Sequence, residues 1–173
     1  MILSGAQIVA RKLVTNLRLT SQQQQQPCGI DVTLRQVSHW NSAATIDFDN
    51  SHREAAETTA LSFTASDSVH LAPGSYLVNF NELASIPRNC MASVLPRSSL
   101  WRSGVGVHAG VVDAGYEGAL GAMLDVRNPH GITLYRNARL AQLVFEEMGE
   151  QVEGYNGIYQ FSSNSSGRDG PSK

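Results

Sequence analysis

Residues 29–34 read Gly-Ile-Asp-Val-Thr-Leu, and their apolar side chains alternate with polar ones. This period of two is typical of a β-strand that turns one face toward a core. Short segments of the same kind follow along the chain, separated by turn residues such as Pro73-Gly74. Many short strands at close spacing indicate a barrel or a double-sheet jelly roll. The further predicted strands lie at 44–48, 60–63, 69–71, 75–80, 91–95, 104–107, 119–126, 132–135 and 139–145.

A short helix and a run of glutamines precede this strand. Ser4 has Gln7 three residues after it, a spacing typical of the capping box that begins a helix. Residues 22–26 are five consecutive glutamines, which resemble a low-complexity linker. We therefore predict a short N-terminal helix, followed by a connection in which Gln22 to Gln25 are replaceable polar spacer.

The composition indicates one globular domain. The chain has 173 residues, of which 42% are hydrophobic and 16% charged, a balance typical of a folded chain with a substantial core. A net charge of −2 argues against a broad basic surface for nucleic acid. No apolar run approaches the roughly 20 residues that span a bilayer. We expect neither a nucleic-acid nor a membrane partner, and a domain at 1–161 followed by a flexible tail at 162–173, which is rich in Ser and Gly.

The cysteines and the N-terminus bear on metal binding and location. Cys28 and Cys90 form no CxxC motif, which argues against a zinc-thiolate site. The N-terminal segment lacks the apolar core and the cleavage signature of a signal peptide. We expect a cytoplasmic protein, or a nuclear one if its host has a nucleus.

Residues 96–102, Pro-Arg-Ser-Ser-Leu-Trp-Arg, form the densest polar segment of the chain. Guanidinium groups bind phosphate through paired hydrogen bonds, and neighbouring hydroxyl groups bind phosphate oxygens. Arg97, Ser98 and Ser99 are therefore candidate phosphate ligands. A strand followed by a polar helix cap has the same pattern, so this segment alone leaves both interpretations open.

Two later segments also carry candidate ligands. Residues 110–118, Gly-Val-Val-Asp-Ala-Gly-Tyr-Glu-Gly, place Asp113 at a turn close to Tyr116. Aspartate is common in hairpin turns, but a carboxylate on a tight hairpin can also orient water for a reaction. Arg139 and Gln142 lie in the strand predicted at 139–145, where they either bind a ligand or are polar side chains on an exposed face.

Taken together, these segments resemble the dUTPase and dCTP deaminase superfamily over Met1 to about Gln160. Residues 26–34 (Gln-Pro-Cys-Gly-Ile-Asp-Val-Thr-Leu), 96–100, 110–118 and 139–143 are similar to its first four motifs, in that order. The first residues, Met-Ile-Leu-Ser, look like the start of the branch that holds the deaminases and the archaeal-type dUTPases. The resemblance implies a mainly β fold, a distorted jelly-roll β-barrel with a short N-terminal helix. It also implies a homotrimer with active sites between subunits.

The resemblance implies roles for individual residues as well. The expected reaction is hydrolysis of dUTP to dUMP and pyrophosphate, with Mg²⁺ as the cofactor, held through water by Asp31. Asp113 is the expected catalytic residue, which orients or deprotonates the attacking water, and Tyr116 packs on the deoxyribose and excludes a 2′-hydroxyl. The other expected substrate ligands are Arg97, Ser98, Ser99 and Gln142 at the phosphates, main-chain groups near Gly110 and Val112 at the uracil edge, and Arg139.

The deaminases of the same superfamily need a glutamate ten residues after the hairpin aspartate. Met123 stands there, and its side chain cannot transfer a proton, so dUTP hydrolysis is favoured. Two residues favour deamination instead: Arg102 stands where deaminases carry a site arginine, and Asp125 follows Met123 on the same face of a strand. A dCTP deaminase, a bifunctional deaminase-dUTPase and a non-catalytic nucleotide-binding regulator are the alternatives.

The C-terminal segment departs from the dUTPase pattern. In similar dUTPases a glycine-rich arm with an arginine and a phenylalanine closes over the base. Phe161 aligns with that phenylalanine and is an expected substrate contact, whereas Asn156 stands in the place of the arginine. Residues 155–160 look more like the ending of a deaminase.

Overall fold

The computed structural model describes residues 1–18 and 21–164. The first helix, α1 (Gly5–Ala10), begins with the predicted capping box. The Ser4 hydroxyl accepts a hydrogen bond from the Gln7 backbone N–H at 3.2 Å, and the Gln7 side chain accepts one from the Ser4 N–H at 2.9 Å. These bonds satisfy two N–H groups that a helix start leaves without partners, so the predicted short N-terminal helix is confirmed.

Strands are the main regular secondary structure of the described chain, as predicted. A second short helix, α2, spans Ser98–Arg102, and a 3-10 turn spans Ser21–Gln23. The strands in chain order are β1 (Val14–Thr15), β2 (Gln25–Gln26), β3 (Gly29–Trp40), β4 (Thr58–Ala60), β5 (Ser68–Leu71), β6 (Gly74–Ser85), β7 (Cys90–Pro96), β8 (Val105–His108), β9 (Val111–Val112), β10 (Glu117–Val126), β11 (Ile132–Tyr135) and β12 (Arg139–Glu147).

The strands form one large curled sheet and one small sheet. The large sheet has the order β8-β10-β6-β3-β12-β7-β9, with β1 added to β6 and with β2 and β4 added to β3. All of its pairings are antiparallel. The small sheet pairs β11 with β5. Neighbours far apart in sequence, such as β3 and β12, are the mark of a jelly-roll connection rather than of a simple meander.

Strand β3 bends and thereby joins the two halves of the large sheet. Its first half pairs with β12 through residues 30–33, and its second half pairs with β6 through residues 34–38. Register shifts occur on both sides, between Leu34 and Gln36 and between Arg139 and Ala141. Such irregularities add bend and twist to a sheet, and these two lie next to the predicted first and fourth motifs.

The core lies inside the curled sheet. Its largest fully buried side chains include Phe80 of β6 and Phe145 of β12. Both faces of β3 are covered at its start, because residues 29–34 are all buried, including Asp31 and Thr33. The apolar side chains of this segment therefore face one buried environment and its polar side chains another. Neither face of the strand is exposed to solvent here.

The strand predicted at 44–48 is wrong. Thr45 forms only an isolated bridge with Glu54, within a loop that runs from Trp40 to Thr58. The Asp47 carboxylate accepts hydrogen bonds from the Ser51 hydroxyl at 3.2 Å and from the His52 N–H at 2.5 Å. These local bonds favour a turn over an extended chain.

The C-terminal part of the described chain packs on the domain as far as Ser162, which is buried. The packed region thus reaches one residue beyond the predicted boundary at 161, and residues 165–173 of the predicted tail lie outside the described residues. None of the helices in the described chain has the length and apolar character that crossing a bilayer requires.

Replacing Gly29 by alanine is predicted to destabilise the pairing of β3 with β12. A Cβ at position 29 would lie 2.5 Å from the Leu143 carbonyl oxygen and 3.0 Å from Cγ of Gln142. Since the first neighbour is backbone, the strands have to separate, which costs about 1–3 kcal/mol of unfolding free energy. The matched control is Gly149→Ala, because a Cβ there meets nothing within 4 Å. Equal chemical-denaturation midpoints for the two variants would contradict this account of the strand contact.

Candidate active site

A cavity of about 370 Å³ opens beside the turn between β9 and β10. Val112 of β9 pairs with Ala92 of β7, which fixes the strand that enters the turn. The Tyr116 N–H donates to the Asp113 carbonyl at 3.1 Å and closes the turn. The residues lining the cavity are Val94, Ala109, Gly110, Val111, Val112, Asp113, Tyr116, Ala119, Leu120, Gly121, Tyr155, Tyr159 and Ser162.

The cavity contains the predicted residues of the third motif. Gly110, Val112, Asp113 and Tyr116 all line it. Within the described residues, Asp113 is the only carboxylate in this lining, and its side chain is exposed rather than paired in the core. An exposed carboxylate at the wall of a mostly apolar cavity can accept a proton from bound water or from a hydroxyl group of a ligand.

Tyr116 forms the fixed base of the cavity. Its hydroxyl donates to the Ala119 carbonyl at 2.5 Å and lies 3.3 Å from the Ser162 hydroxyl. Burial raises the pKa of this phenol, more than the hydrogen bond with Ser162 lowers it, so Tyr116 remains neutral near pH 7. Its ring meets the Tyr155 ring edge to face, with centroids 5.6 Å apart. Tyr116 therefore presents a rigid aromatic surface.

One wall of the cavity comes from the C-terminal segment of the same chain. The Tyr155 N–H donates to the Ala114 carbonyl at 2.7 Å, and the Ala119 N–H donates to the Ser162 carbonyl at 2.9 Å. The Gln160 side chain adds bonds to the main chain of the hairpin, accepting from Glu117 N–H at 3.0 Å and donating to the Gly115 carbonyl at 2.9 Å. This wall is therefore held in place by hydrogen bonds within the chain itself.

Gly115 is the position where this wall approaches the hairpin most closely. Its φ of +78° lies in the left-handed region, which favours glycine. A Cβ at this position would collide with the Gly154 backbone. No local sequence pattern marks Tyr155, Tyr159 and Ser162 as lining residues, because the contact of their segment with residues 113–119 joins distant parts of the chain. Phe161, the predicted aromatic contact, has 61% of its surface exposed and is not among the lining residues.

A second group of predicted residues gathers around Asp31. Its Oδ2 lies 3.0 Å from Nε of Arg97 and 3.2 Å from Nη1 of Arg139. Asp31 is only 1% exposed, whereas about a third of each arginine side chain remains exposed, at 30% and 35%. One carboxylate against two guanidinium groups leaves an excess positive charge at the surface, which suits an anion such as phosphate.

Opposing influences act on the Asp31 carboxyl group. Burial raises its pKa, and the charges of Arg97 and Arg139 lower it to a smaller extent, with a net upward shift. An anion bound by the arginines would compete with Asp31 for their charge. The ionisation of the Asp31 carboxyl group is therefore coupled to the binding of an anion by Arg97 and Arg139.

The remaining predicted phosphate ligands lie around this cluster. Ser98 and Ser99 are exposed in the first turn of α2, and Arg97 at its N-cap makes no side-chain capping bond. The pattern at 96–102 therefore does not arise from a side-chain helix cap. Gln142 lies directly opposite Asp31 in the pairing of β12 with β3 and is half-buried.

Two residues of the glutamine run, Gln23 and Gln24, belong to this cluster. The Gln23 carbonyl accepts a hydrogen bond from Arg139 at 2.5 Å. Gln24 is only 2% exposed, and its side chain donates to the Asp31 carbonyl at 2.9 Å while its own carbonyl accepts from the Asp31 N–H at 2.8 Å. The prediction that Gln22 to Gln25 are all replaceable is therefore wrong at Gln24, which clamps the Asp31 backbone on both sides.

The Gln24 side chain is held in turn by a buried carboxylate, that of Glu82. Glu82 of β6 is fully buried and accepts hydrogen bonds from the Gln24 side chain at 2.7 Å, from the Thr33 N–H at 2.7 Å and from the Thr33 hydroxyl at 2.6 Å. Buried carboxylates are costly without such partners. The sequence did contain a signal for Glu82, since it follows Val78 and Phe80 at spacings of two residues and so shares their inward face.

The described residues do not fit a resident magnesium ion. They contain no group of three or more His, Cys, Asp or Glu side chains that could hold a metal. Asp31, predicted to hold Mg²⁺ through water, is buried and directs Oδ2 at two guanidinium groups. Mg²⁺ prefers carboxylate and phosphate oxygens with several retained waters, so phosphate oxygens of a ligand are the better donors here.

The residues that bear on deamination, Met123, Asp125 and Arg102, lie outside the cavity lining. Met123 pairs with His108 in the sheet, has 37% of its surface exposed and does not line the cavity. Asp125 is bound to Nε of Arg127 at 2.6 Å, and this hydrogen bond lowers the pKa of Asp125. The Arg102 guanidinium lies over its own neighbour Trp101, 4.9 Å from the ring centroid.

Comparisons with known proteins agree with these features. The model of the dCTP deaminase-like family matches residues 2–148. A Methanosarcina mazei protein named "Probable deoxyuridine 5'-triphosphate nucleotidohydrolase" is 43% identical over 136 residues, which are 78% of this chain and 80% of that protein. A protein of the same name from Archaeoglobus fulgidus is 40% identical over 164 residues, 92% of this chain and 95% of that protein.

A solved structure supports the fold. The 2'-deoxycytidine 5'-triphosphate deaminase from Agrobacterium tumefaciens superposes with a TM-score of 0.65 at 23% identity, over 83% of this chain. The matched region is 46% of that chain, so this protein spans about half of its length. The superposition concerns the fold alone, and it confirms the jelly-roll class predicted from the sequence.

Gln24→Ala is predicted to destabilise the domain by about 1–3 kcal/mol, because it leaves the buried Asp31 carbonyl and the Glu82 carboxylate short of a donor. The matched control is Gln22→Ala, since Gln22 is an exposed member of the same run and surface substitutions usually change stability by less than about 0.5 kcal/mol. Thermal denaturation of both variants provides the measurement. A loss of the same size in each would mean that the run acts as a whole and not through Gln24.

Proposed function

The chain belongs to the dCTP deaminase-like family, and we propose that within this family it is a dUTP pyrophosphatase, which hydrolyses dUTP to dUMP and pyrophosphate. The choice of dUTP hydrolysis over deamination rests on which carboxylates line the cavity. In the described chain, Asp113 is the single carboxylate lining it, while Met123 stands where a deaminase needs a glutamate. The archaeal relatives named for dUTP hydrolysis support the same assignment.

The cavity beside Asp113 is the proposed deoxynucleoside site. The uracil edge meets main-chain groups near Gly110 and Val112, and the deoxyribose packs on Tyr116. The phenol of Tyr116 is held by Ala119 and Ser162, so its ring cannot easily move aside for a 2′-hydroxyl group. Rejection of ribonucleotides then follows from a fixed surface, which is more selective than a mobile one.

The cluster around Asp31 is the proposed triphosphate site. Arg97, Arg139, Ser98, Ser99 and Gln142 bind phosphate oxygens, and Asp31 holds the two guanidinium groups in place. Bound in this way, the chain of phosphates is oriented for in-line attack at the α-phosphate. Asp113 orients the attacking water and accepts its proton. Magnesium belongs to this proposal as part of the substrate, the Mg²⁺ complex of dUTP.

The two sites are proposed to meet between subunits of a homotrimer. Val112 at the cavity pairs with Ala92, and Arg97 follows Pro96 at the far end of the same strand, β7. The rise of about 3.3 Å per residue puts Ala92 and Pro96 about 13 Å apart. Leu95 and Val111 are exposed apolar side chains on β7 and β9, a composition that suits an interface with a second copy. A neighbouring copy would bring its arginine cluster to the cavity of this one.

A paired assay tests the proposed reaction. The full chain is supplied with Mg²⁺ and with either dUTP or dCTP, and pyrophosphate and ammonia are measured. We expect pyrophosphate from dUTP and no ammonia from dCTP, because position 123, where a deaminase needs a glutamate, is a methionine. Ammonia from dCTP would assign the deaminase reaction, and absence of both products would assign a nucleotide-binding regulator.

Asp113→Asn is predicted to lower kcat for dUTP by about 10²–10⁴-fold, the usual contribution of a positioned general base. Substrate still binds, since the amide keeps the size of the side chain. Asp125→Asn is the matched control: Asp125 is paired with Arg127 and does not line the cavity, so kcat remains close to that of the wild type. Steady-state kinetics with dUTP measures both, and near-normal turnover of Asp113→Asn would remove Asp113 from the catalytic role.

A further inference from the structure

The loop between β3 and β4 reaches the wall of the nucleoside cavity. It spans residues 41–57 and is closed at its base by a hydrogen bond from the Asn41 N–H to the Glu57 carbonyl at 2.9 Å. Further out, Thr45 and Glu54 exchange two backbone hydrogen bonds, at 2.9 and 3.0 Å. These backbone hydrogen bonds hold the two sides of the loop together.

Arg53 lies between two fixed points of this loop. The N–H of the preceding residue, His52, is bound to the Asp47 carboxylate at 2.5 Å, and the following residue, Glu54, is bound to Thr45. The backbone on both sides of Arg53 is therefore held. The backbone that carries the Arg53 side chain is thus fixed in position, although the loop as a whole lies at the surface.

The Arg53 side chain contacts Tyr159 in two ways. Its Nη2 donates a hydrogen bond to the Tyr159 hydroxyl, and its guanidinium carbon lies 5.2 Å from the centroid of the Tyr159 ring. In the described part of the chain Arg53 forms no ion pair with a carboxylate. Its charge is thus directed at an aromatic residue that lines the cavity.

We propose that Arg53 is a positioning residue for the nucleoside half of the active site. It acts through Tyr159 by holding that ring as part of the cavity wall. Because a tyrosine ring turns about two side-chain bonds, a ring without this contact must be ordered when the nucleoside binds, and that ordering weakens binding. The inference rests on the proposed function, since it takes the cavity to be the deoxynucleoside site.

An arginine suits this role better than other residues. A planar guanidinium can donate to the hydroxyl and still lie against the face of the ring, whereas an ammonium group acts as a compact point charge. Since the contact involves the nucleoside cavity and not the cluster around Asp31, it should affect one half of the substrate only. An effect on nucleoside binding alone would distinguish a positioning role of Arg53 from a general effect on folding.

The test compares ligands for the two halves of the site. Binding of dUMP and of inorganic tripolyphosphate to Arg53→Gln is measured by calorimetry, together with KM and kcat for dUTP. We expect dUMP affinity to fall and KM to rise by roughly five- to tenfold, as for loss of one cation–π contact and its hydrogen bond. Tripolyphosphate affinity and kcat remain within about twofold of the wild-type values, an interval of roughly 0.4 kcal/mol.

Two further variants serve as controls. Arg127→Gln removes an exposed arginine that pairs with Asp125 outside the cavity lining, and it should leave both affinities unchanged. Tyr159→Phe removes the hydroxyl group, and adding it to Arg53→Gln should cost less than the sum of the two single changes, because both remove the same hydrogen bond.

The outcomes distinguish this inference from the function it rests on. If Arg53→Gln leaves dUMP affinity unchanged, or weakens dUMP and tripolyphosphate equally, Arg53 does not position the nucleoside wall, whereas dUTP hydrolysis by the wild type stands. Fully additive losses in the double variant also overturn the coupling through Tyr159. If the wild-type protein binds no dUMP and hydrolyses no dUTP, the proposed function fails and the inference fails with it.

Discussion

The ion pairs of Asp31 with Arg97 and Arg139 are the interaction on which this site depends. A buried carboxylate is unfavourable unless it is paired and hydrogen-bonded, and here two guanidinium groups share one oxygen. The backbone of Asp31 is meanwhile held by Gln24. This arrangement places two cations from different parts of the chain next to each other and leaves their outer faces available to an anion.

The bend of β3 explains how these residues come together. The first half of β3 pairs with β12, which carries Arg139, and β12 pairs in turn with β7, which leads to Arg97. The same β7 pairs with β9, from which the chain enters the hairpin of Asp113. One series of neighbouring strands therefore positions both the cluster around Asp31 and the cavity beside Asp113. A change in the register of β12 would shift both at once.

Local patterns predicted the elements but not the contacts between distant segments. Alternation of apolar residues predicted most strands, whereas residues 44–48 failed because Asp47 bonds locally to the turn that follows. Nothing in five identical glutamines distinguishes Gln24, whose burial depends on Glu82 of a strand far along the chain. The cavity wall at Tyr159 was missed for the same reason, since no local period reports a contact between a C-terminal segment and a remote hairpin.

The separation of the cavity beside Asp113 from the cluster around Asp31 suggests how one fold can catalyse two reactions. Both dUTP hydrolysis and dCTP deamination require the triphosphate to be held, and under the proposed function the arginines around Asp31 would do this in either case. The bond that breaks is decided by where a carboxylate stands relative to the base and to the α-phosphate, because proton transfer requires hydrogen-bond contact. Here Asp113 is the only carboxylate among the described residues that line the cavity, and Met123, on the following strand and outside that lining, has a thioether that cannot transfer a proton. Under the proposed function, a carboxylate at position 123 would therefore distinguish deamination from hydrolysis without a change in the cluster around Asp31.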